Sequence, residues 1–204
     1  MLHTTDAIVL ALQPQSDKAH LLHAYTRAGG RVNYKVYGLG RHHSAGLYTP
    51  LSLVQITADY PSASSRLASV RETTPITANP LPTNLYKNTI ALFLSEVLYR
   101  TLRHPMPDEQ LYDFLESAVR HLYSLPEDES NRMELSNFRI VFLMSLAAKL
   151  GFAIDEHEHP ELMSLPQNRS ERQQHLLRLC NYFAEHIDTW QHPKSLDILT
   201  EVFD

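Results

Sequence analysis

The chain has 204 residues, a formal net charge of −5, and a composition that is 43% hydrophobic and 20% charged. These values exclude a disordered chain and fit a folded protein of one large domain or two small ones. The single cysteine, Cys180, excludes an internal disulfide and a zinc site built from cysteines. No secretory signal or membrane-length apolar run is visible, so we expect a cytoplasmic protein that is not inserted in a membrane.

Charge is divided unevenly along the chain. Residues 1–75 carry seven Lys and Arg against four Asp and Glu, whereas the rest of the chain carries eleven against nineteen. Three prolines in residues 75–83 are typical of a linker between folded segments. We therefore predict a first domain at residues 1–75, a proline-rich junction at 76–83 and a second domain at 84–204.

The first domain is predicted to contain five short strands, at residues 3–12, 18–26, 31–37, 51–60 and 67–74. The third is the clearest, because Val32, Tyr34 and Val36 alternate with more polar neighbours at the period of a half-buried strand. Turns are predicted at 14–17, where Pro14 begins a polar run, and at the Ala-Gly-Gly of 28–30. Five strands in about 75 residues indicate a small OB-fold barrel.

After residue 84 the apolar residues recur with the period of a helix. The pattern predicts helices near residues 86–102, 111–122, 132–150, 170–187 and 195–203. Asn131 with Glu134, and Ser170 with Gln173, resemble helix-capping pairs, and Gly151 is placed to end the third helix. The predicted fold class is α+β, with an N-terminal five-stranded OB-fold barrel followed by an all-helical C-terminal domain.

The third strand also carries the most promising candidate for binding. If Val32, Tyr34 and Val36 face the barrel core, their neighbours share the outer face. Residues 18–44 contain five Lys or Arg and four His but no Asp or Glu. Cations beside an exposed aromatic ring are what single-stranded nucleic-acid platforms use, the cations for phosphates and the ring for stacking. The predicted DNA-binding residues are Lys18, Arg27, Arg31, Lys35, Tyr37, Arg41, His42 and His43. The alternative is a solvated strand face that has no partner.

Motifs for catalysis or cofactor binding are not visible, so no catalytic residue, no cofactor and no enzyme activity are predicted. The loop at 155–161, Asp-Glu-His-Glu-His-Pro-Glu, offers imidazoles and carboxylates to a metal. Its spacing is not that of a helical His-Glu-x-x-His site, and no third distant ligand is identifiable. A metal-dependent hydrolase built on His157 and His159 is therefore the weaker alternative to a solvated loop. Cys180 lies on an apolar helix stripe and is predicted to be a core residue.

Several short motifs together resemble one protein family. They are the N-terminal apolar strand, the hairpin from Thr26 to Gly30, the run Gly-Leu-Gly-Arg-His-His-Ser at 38–44, and Phe-Arg-Ile-Val-Phe at 138–142 with Lys-Leu-Gly-Phe at 149–152. They are similar to those of the RecO family of bacterial recombination mediators, and the resemblance covers nearly the whole chain. It implies an OB fold plus a helical domain, and binding of single- and double-stranded DNA. It also implies strand annealing and assistance to RecA loading on DNA coated by single-strand-binding protein, together with RecR.

The resemblance implies partner sites as well, and it has two departures. The helical domain would bind the acidic C-terminal tail of single-strand-binding protein, with Arg100, Arg103 and Arg139 as candidate contacts, and the protein would be nucleoid-associated. Many members carry a four-cysteine zinc module that a chain with one cysteine lacks. His42 and His43 stand where the family often has Lys or Arg, so DNA binding is expected to strengthen at lower pH. A generic OB-fold module that binds RNA or protein is the alternative function.

Overall fold

The computed structural model describes residues 2–40, 44–59, 67–76, 84–126 and 132–202. The strands are β1 (Leu2–Ser16), β2 (Ala19–Thr26), β3 (Gly30–Tyr37), β4 (Leu53–Asp59) and β5 (Ala68–Pro75), with a short 3-10 helix at Ala45–Tyr48. The helices are α1 (Leu85–Thr101), α2 (Glu109–Ser124), α3 (Arg132–Lys149), α4 (Pro160–Met163), α5 (Arg169–His186) and α6 (Ser195–Val202). Among these described helices, none is both long and apolar enough to cross a membrane.

The strands close into a barrel in the order β1-β2-β3-β5-β4, which confirms the predicted OB-like barrel followed by helices. Strand β1 closes it, because its first half pairs with β4 and its second half with β2. The predicted turn at 14–17 is wrong in its start, since β1 continues through Pro14 to Ser16. A bulge between Pro14 and Ser16 allows this, because proline lacks the N–H that regular pairing would need there.

The barrel core forms from alternate residues of each strand together with Tyr48 of the 3-10 helix. The buried set is Ala7, Val9, Leu22, Ala24, Tyr34, Val36, Tyr48, Val54, Ile56, Ala58, Ala68 and Val70. The side chains of neighbouring residues point to the other side of the sheet, so the same alternation that fills the core also defines an outer face.

Gly30 is required at the start of β3 for two reasons. Its φ of +62° is a backbone conformation that side chains disfavour. A Cβ atom there would also collide with the backbone of Met106. This close approach lets the Arg31 N–H donate to the carbonyl of His104 at 3.2 Å, which ties the hairpin to the segment after α1.

The structure confirms one predicted helix end and shows that one predicted helix cap is wrong. Gly151, at φ +91°, ends α3 as predicted. The predicted capping pair of Ser170 and Gln173 is wrong, because the Asn168 side chain accepts the Glu171 N–H at 3.0 Å and caps α5 two residues earlier. Asn131 of the other predicted capping pair lies outside the described residues. Helix α4 was not predicted, and Pro160 occupies its first turn, where a missing N–H costs nothing.

The chain divides into two compact units. The barrel unit comprises residues 1–83 and 95–119, and the helical unit comprises residues 84–94 and 120–204. The domain limits expected from sequence, at 75 and 84, remain a prediction.

Candidate nucleic-acid interface

The alternation predicted for β3 is present. Tyr34 and Val36 are buried in the barrel core and Val32 packs against it. The residues between them face outward, and β2 lies beside them in register: Tyr25 pairs with Arg31, His23 with Asn33, Leu21 with Lys35 and Ala19 with Tyr37. The outer face of β2 and β3 is therefore a set of four rows of paired residues, and its two ends differ.

One end, the covered end, carries Tyr25, Arg27 and Arg31. Arg31 Nη1 donates to the carbonyl oxygens of Tyr99 and Leu102, at 3.3 Å each. Its guanidinium also lies 4.4 Å from the centroid of the Tyr99 ring. Burial lowers the pKa of Arg31. The Arg31 side chain is thus bound to the end of α1 within the barrel unit.

Arg27, in the hairpin between β2 and β3, has acidic partners. Its Nη1 atom lies 2.7 Å from Asp113 Oδ1 and 3.7 Å from Glu109 Oε1, and its Nη2 atom lies 3.1 Å from Glu116 Oε2. Tyr112 stacks under the guanidinium, with 4.4 Å to the ring centroid. The hydrogen bond to Asp113 is the main reason that the pKa of Arg27 is raised. These carboxylates belong to one face of α2, since positions separated by three and four residues are neighbours on a helix.

His23 is buried on the outer face, in the row next to the pair of Tyr25 and Arg31. Its Nδ1 atom lies 2.7 Å from Asn33 Oδ1, and the edge of its ring meets Tyr99 with 5.0 Å between centroids. Burial, more than any other effect, lowers the pKa of His23, so the ring is neutral at pH 7 and adds no charge to the interface.

The other end, the open end, carries Lys18, Lys35 and Tyr37. Lys18 is exposed in the turn that leads into β2, and the pairing of Ala19 with Tyr37 places that turn beside the tyrosine. The Tyr37 side chain is 45% exposed, and Lys35 is partly exposed. Neither lysine forms an ion pair with any residue that the structure describes. This end keeps two cations and an aromatic ring available to a ligand.

The eight predicted DNA-binding residues therefore separate into three groups. Arg27 and Arg31 have partners in the barrel unit, whereas Lys18, Lys35 and Tyr37 lie together at the open end. Arg41, His42 and His43 lie outside the described residues.

The predicted partner-binding arginines lie in different units. Arg100 pairs with Glu96 one turn earlier in α1, and the Arg103 Nε atom donates to the Arg100 carbonyl at 3.0 Å, so these two are close neighbours. Arg139 lies in α3 of the helical unit, where burial lowers its pKa to about 10.

The metal site considered as an alternative is not formed by the described residues. No group of three or more His, Cys, Asp or Glu able to hold a metal is present in the described ranges, which include all of 155–161. His159 instead pairs with Glu161 at 3.6 Å and meets Tyr182 edge-on. Cys180 is buried, as predicted, and burial raises the pKa of its thiol to about 12.

The sequence analysis did not identify the residues that contact the side chains of Arg27 and Arg31. The acidic spacing of Glu109, Asp113 and Glu116 is visible in the sequence as one helix face. Nothing in the sequence pairs that face with a hairpin more than 80 residues earlier. Tyr99, which lies over Arg31, carries no signal that separates it from other tyrosines on apolar helices.

Comparison with known proteins shows which family the chain belongs to. The family model described as "Recombination protein O C terminal" matches residues 82–191. A protein of Phocaeicola vulgatus named DNA repair protein RecO is 29% identical over 248 aligned positions, which cover all of both chains. Proteins of the same name from Bacteroides fragilis and Flavobacterium johnsoniae are each 27% identical, covering all and 98% of both chains respectively. The matches span the barrel and the helices alike, and the chain belongs to the RecO family.

Proposed function

We propose that this chain is a non-enzymatic DNA repair protein of the recombination-mediator type. It binds single- and double-stranded DNA, anneals complementary strands and, with RecR, assists RecA loading on DNA coated by single-strand-binding protein. The name that its relatives carry, DNA repair protein RecO, supports the repair role, and the open end supports DNA binding. The observation that carries the proposal is the position of Lys18 and Lys35 around Tyr37, without acidic partners among the described residues.

The test of DNA binding is a titration of labelled single-stranded DNA at several salt concentrations. If three to five cations meet phosphates, log K falls against log salt with a slope of about −2 to −3.5. Replacing both Lys18 and Lys35 by alanine removes two contacts and makes the slope shallower by about 1.4. Lys149→Ala, which removes an exposed cation at the end of α3, is the matched control and leaves the slope unchanged.

A salt response that is the same in the double variant and the original protein would remove the open end from the interface. Parallel titrations with RNA of the same sequence, together with a strand-annealing assay, distinguish the mediator from a generic OB-fold module. The mediator anneals complementary DNA strands, and a module of the second kind binds without annealing them.

The proposed partner of the helices is the acidic, hydrophobic C-terminal tail of single-strand-binding protein. Arg100, Arg103 and Arg139 are the contacts predicted from the sequence. Arg103 is exposed whereas Arg139 is buried, so Arg103 is the contact to test. A labelled tail peptide titrated against the Arg103→Ala variant tests this contact. A loss of about 0.2–1 kcal/mol is expected for one exposed ion pair. An unchanged affinity would remove Arg103 from the peptide site.

A further inference from the structure

Helix α3 is followed by a segment without helix or strand, residues 152–159, which leads into α4. Most of its side chains are exposed, and only Phe152, Ile154 and His159 are half-buried. A segment with so few buried side chains has little packing to hold it in one conformation. The family resemblance implies a four-cysteine zinc module at this place, because in many members that module follows the Leu-Gly found here at 150–151.

The residues present do not fit a zinc module, since structural zinc takes four thiolate or imidazole ligands. Cys180 is the one cysteine of the chain, and burial raises the pKa of its thiol to about 12. His159 Nδ1 lies 3.6 Å from Glu161 Oε1, and His186 Nδ1 lies 2.9 Å from the Tyr182 carbonyl oxygen. Among residues 132–202, all of which the structure describes, no three donors group as metal ligands. Other contacts must hold the segment.

A cluster of aromatic rings joins both ends of the segment to α5 within the helical unit. At the start, Phe152 stacks on His186, with 5.1 Å between centroids and 15° between planes, and meets Phe183 edge-on at 5.1 Å. At the end, His159 meets Tyr182 edge-on at 5.1 Å. Tyr182 and His186 are neighbours one turn apart on α5, with 4.3 Å between centroids. These five residues are the ring cluster.

Tyr182 is the centre of the ring cluster because it adds a polar contact. Its hydroxyl donates to the Ala153 carbonyl oxygen at 3.2 Å and lies 3.4 Å from that of Phe152. Burial, followed by nearby carboxylates, raises the pKa of Tyr182, so the hydroxyl stays protonated and remains a donor. The side chain thus contacts the start of the segment through its hydroxyl and the end of the segment through its ring.

The middle of the segment is a turn closed by Asp155. Its Oδ1 atom accepts the His157 N–H at 2.7 Å, and its carbonyl oxygen accepts the His159 N–H at 2.8 Å. These bonds lie inside the segment and do not attach it to a helix. The His157 side chain is exposed and forms no ion pair or ring contact with any described residue. Attachment to α5 therefore depends on the two ends, where the ring cluster lies.

We propose that the ring cluster fixes residues 152–159 on α5 in place of a metal, so that the helical unit keeps its fold without one. Both ends of the segment contact one helix, which closes the loop at its base as a shared metal ion would. Chelators unfold small domains that depend on structural zinc, and this unit has no such dependence. The inference concerns the fold of the helical unit and does not rest on the proposed function.

The test is hydrogen exchange at the amides of residues 152–159 in the whole chain, followed by mass spectrometry. Exchange there requires the segment to open, so its rate reports how firmly the segment is held. Tyr182→Phe removes the hydroxyl and keeps the ring, and His159→Ala removes the ring at the far end. His157→Ala is the matched control, because it removes an exposed imidazole from the same turn. Each protein is measured alone, with EDTA, and with one equivalent of Zn²⁺.

Exchange in Tyr182→Phe and in His159→Ala is expected to be about 2- to 12-fold faster than in the original protein. This range corresponds to roughly 0.5–1.5 kcal/mol for one hydrogen bond or one ring pair, at about 1.4 kcal/mol for each factor of ten. His157→Ala is expected to exchange like the original protein. Neither EDTA nor Zn²⁺ is expected to change the rate in the original protein.

Three outcomes overturn the proposal. Faster exchange of the original protein in EDTA, or slower exchange with Zn²⁺, would show that a metal holds the segment. Equal acceleration in His157→Ala and His159→Ala would show that the ring contact of His159 is not what matters. Unchanged exchange in both Tyr182→Phe and His159→Ala would show that the ring cluster does not hold the segment on α5.

Discussion

The two ends of the β2–β3 outer face carry the same kind of residue and use it differently. At the covered end, Arg27 and Arg31 are each bound to acceptors in the barrel unit, and both lie against tyrosine rings. At the open end, Lys18 and Lys35 have no acidic partner among the described residues. Arginine suits the first role because its planar guanidinium stacks and bonds several acceptors at once, whereas lysine acts as a mobile point charge. The same face is therefore held by contacts within the barrel unit at one end and keeps available cations at the other.

The largest effect that separates the two ends is expected in stability. Arg31→Met leaves the carbonyl oxygens of Tyr99 and Leu102 without their charged donor. We expect the free energy of unfolding to fall by about 1.5–3 kcal/mol, the contribution of hydrogen bonding to one charged group, because both bonds come from the single Nη1 atom and are long at 3.3 Å. Urea unfolding measures the loss.

Lys35→Ala is the control for that substitution, since it removes a cation from the same strand and face at the open end. Its effect on unfolding is expected to stay within about 0.5 kcal/mol. Equal losses in the two variants would contradict the contrast between the ends.

The next effect concerns ligand binding at the open end. Tyr37→Ala removes the exposed ring, and we expect the affinity for single-stranded DNA to fall by about 1–3 kcal/mol, the contribution of one base–aromatic stack. Tyr37→Phe keeps the ring and is expected to bind like the original protein. If both substitutions leave the affinity unchanged, Tyr37 does not stack on a base.

A smaller effect is expected from pH, through the buried histidine of the outer face. The folded protein holds the pKa of His23 below its unfolded value of 6.5, so the unfolded chain binds more protons once the pH falls below that value. Stability is therefore fully present above pH 6.5 and decreases as the pH falls through the folded pKa, at up to about 1.4 kcal/mol per pH unit for one histidine. Urea unfolding at several pH values measures the decrease.

His23→Gln is expected to make that pH dependence shallower without abolishing it, because burial also lowers the pKa of His175. His192→Gln, at an exposed position, serves as the matched control for replacing a histidine by glutamine. A His23→Gln profile that coincides with the original one would show that His23 is not the group that titrates.

The smallest effect is expected at Arg27, because its nearest acidic partner, Asp113, is exposed. Asp113→Asn weakens the nearest of them, and the loss of stability is expected to be about 0.2–1 kcal/mol, as for other exposed ion pairs. The slope of DNA affinity against salt should not change, since two carboxylates still neighbour Arg27. A steeper slope in this variant would indicate that Arg27, once released, contacts phosphates.

Much of the barrel was predictable because its signals are local. The alternation of Val32, Tyr34 and Val36 with their neighbours identifies β3 and its two faces, since successive side chains of a strand point to opposite sides. Gly30 and Gly151 mark a hairpin and a helix end because few other residues accept their backbone conformation. The limits of β1 and the cap of α5 were wrong because a bulge and a competing asparagine decide them, and sequence patterns distinguish these poorly from a turn or a serine cap.

The candidate site was predictable only in part. Lys18, Lys35 and Tyr37 were identified from composition and alternation, and they lie together as the pattern indicates. The same pattern included Arg27 and Arg31, because it measures charge and face but not what packs against that face.

By itself, the sequence determined the barrel, the helices and the cationic face of β3, because period, glycine and charge act over neighbouring residues. Only the tertiary structure decided which cations on that face remain available. That outcome depends on Tyr99, Asp113 and Glu116, which lie far along the chain from the strand that they cover, and long-range packing leaves no periodic trace in the residues that it brings together.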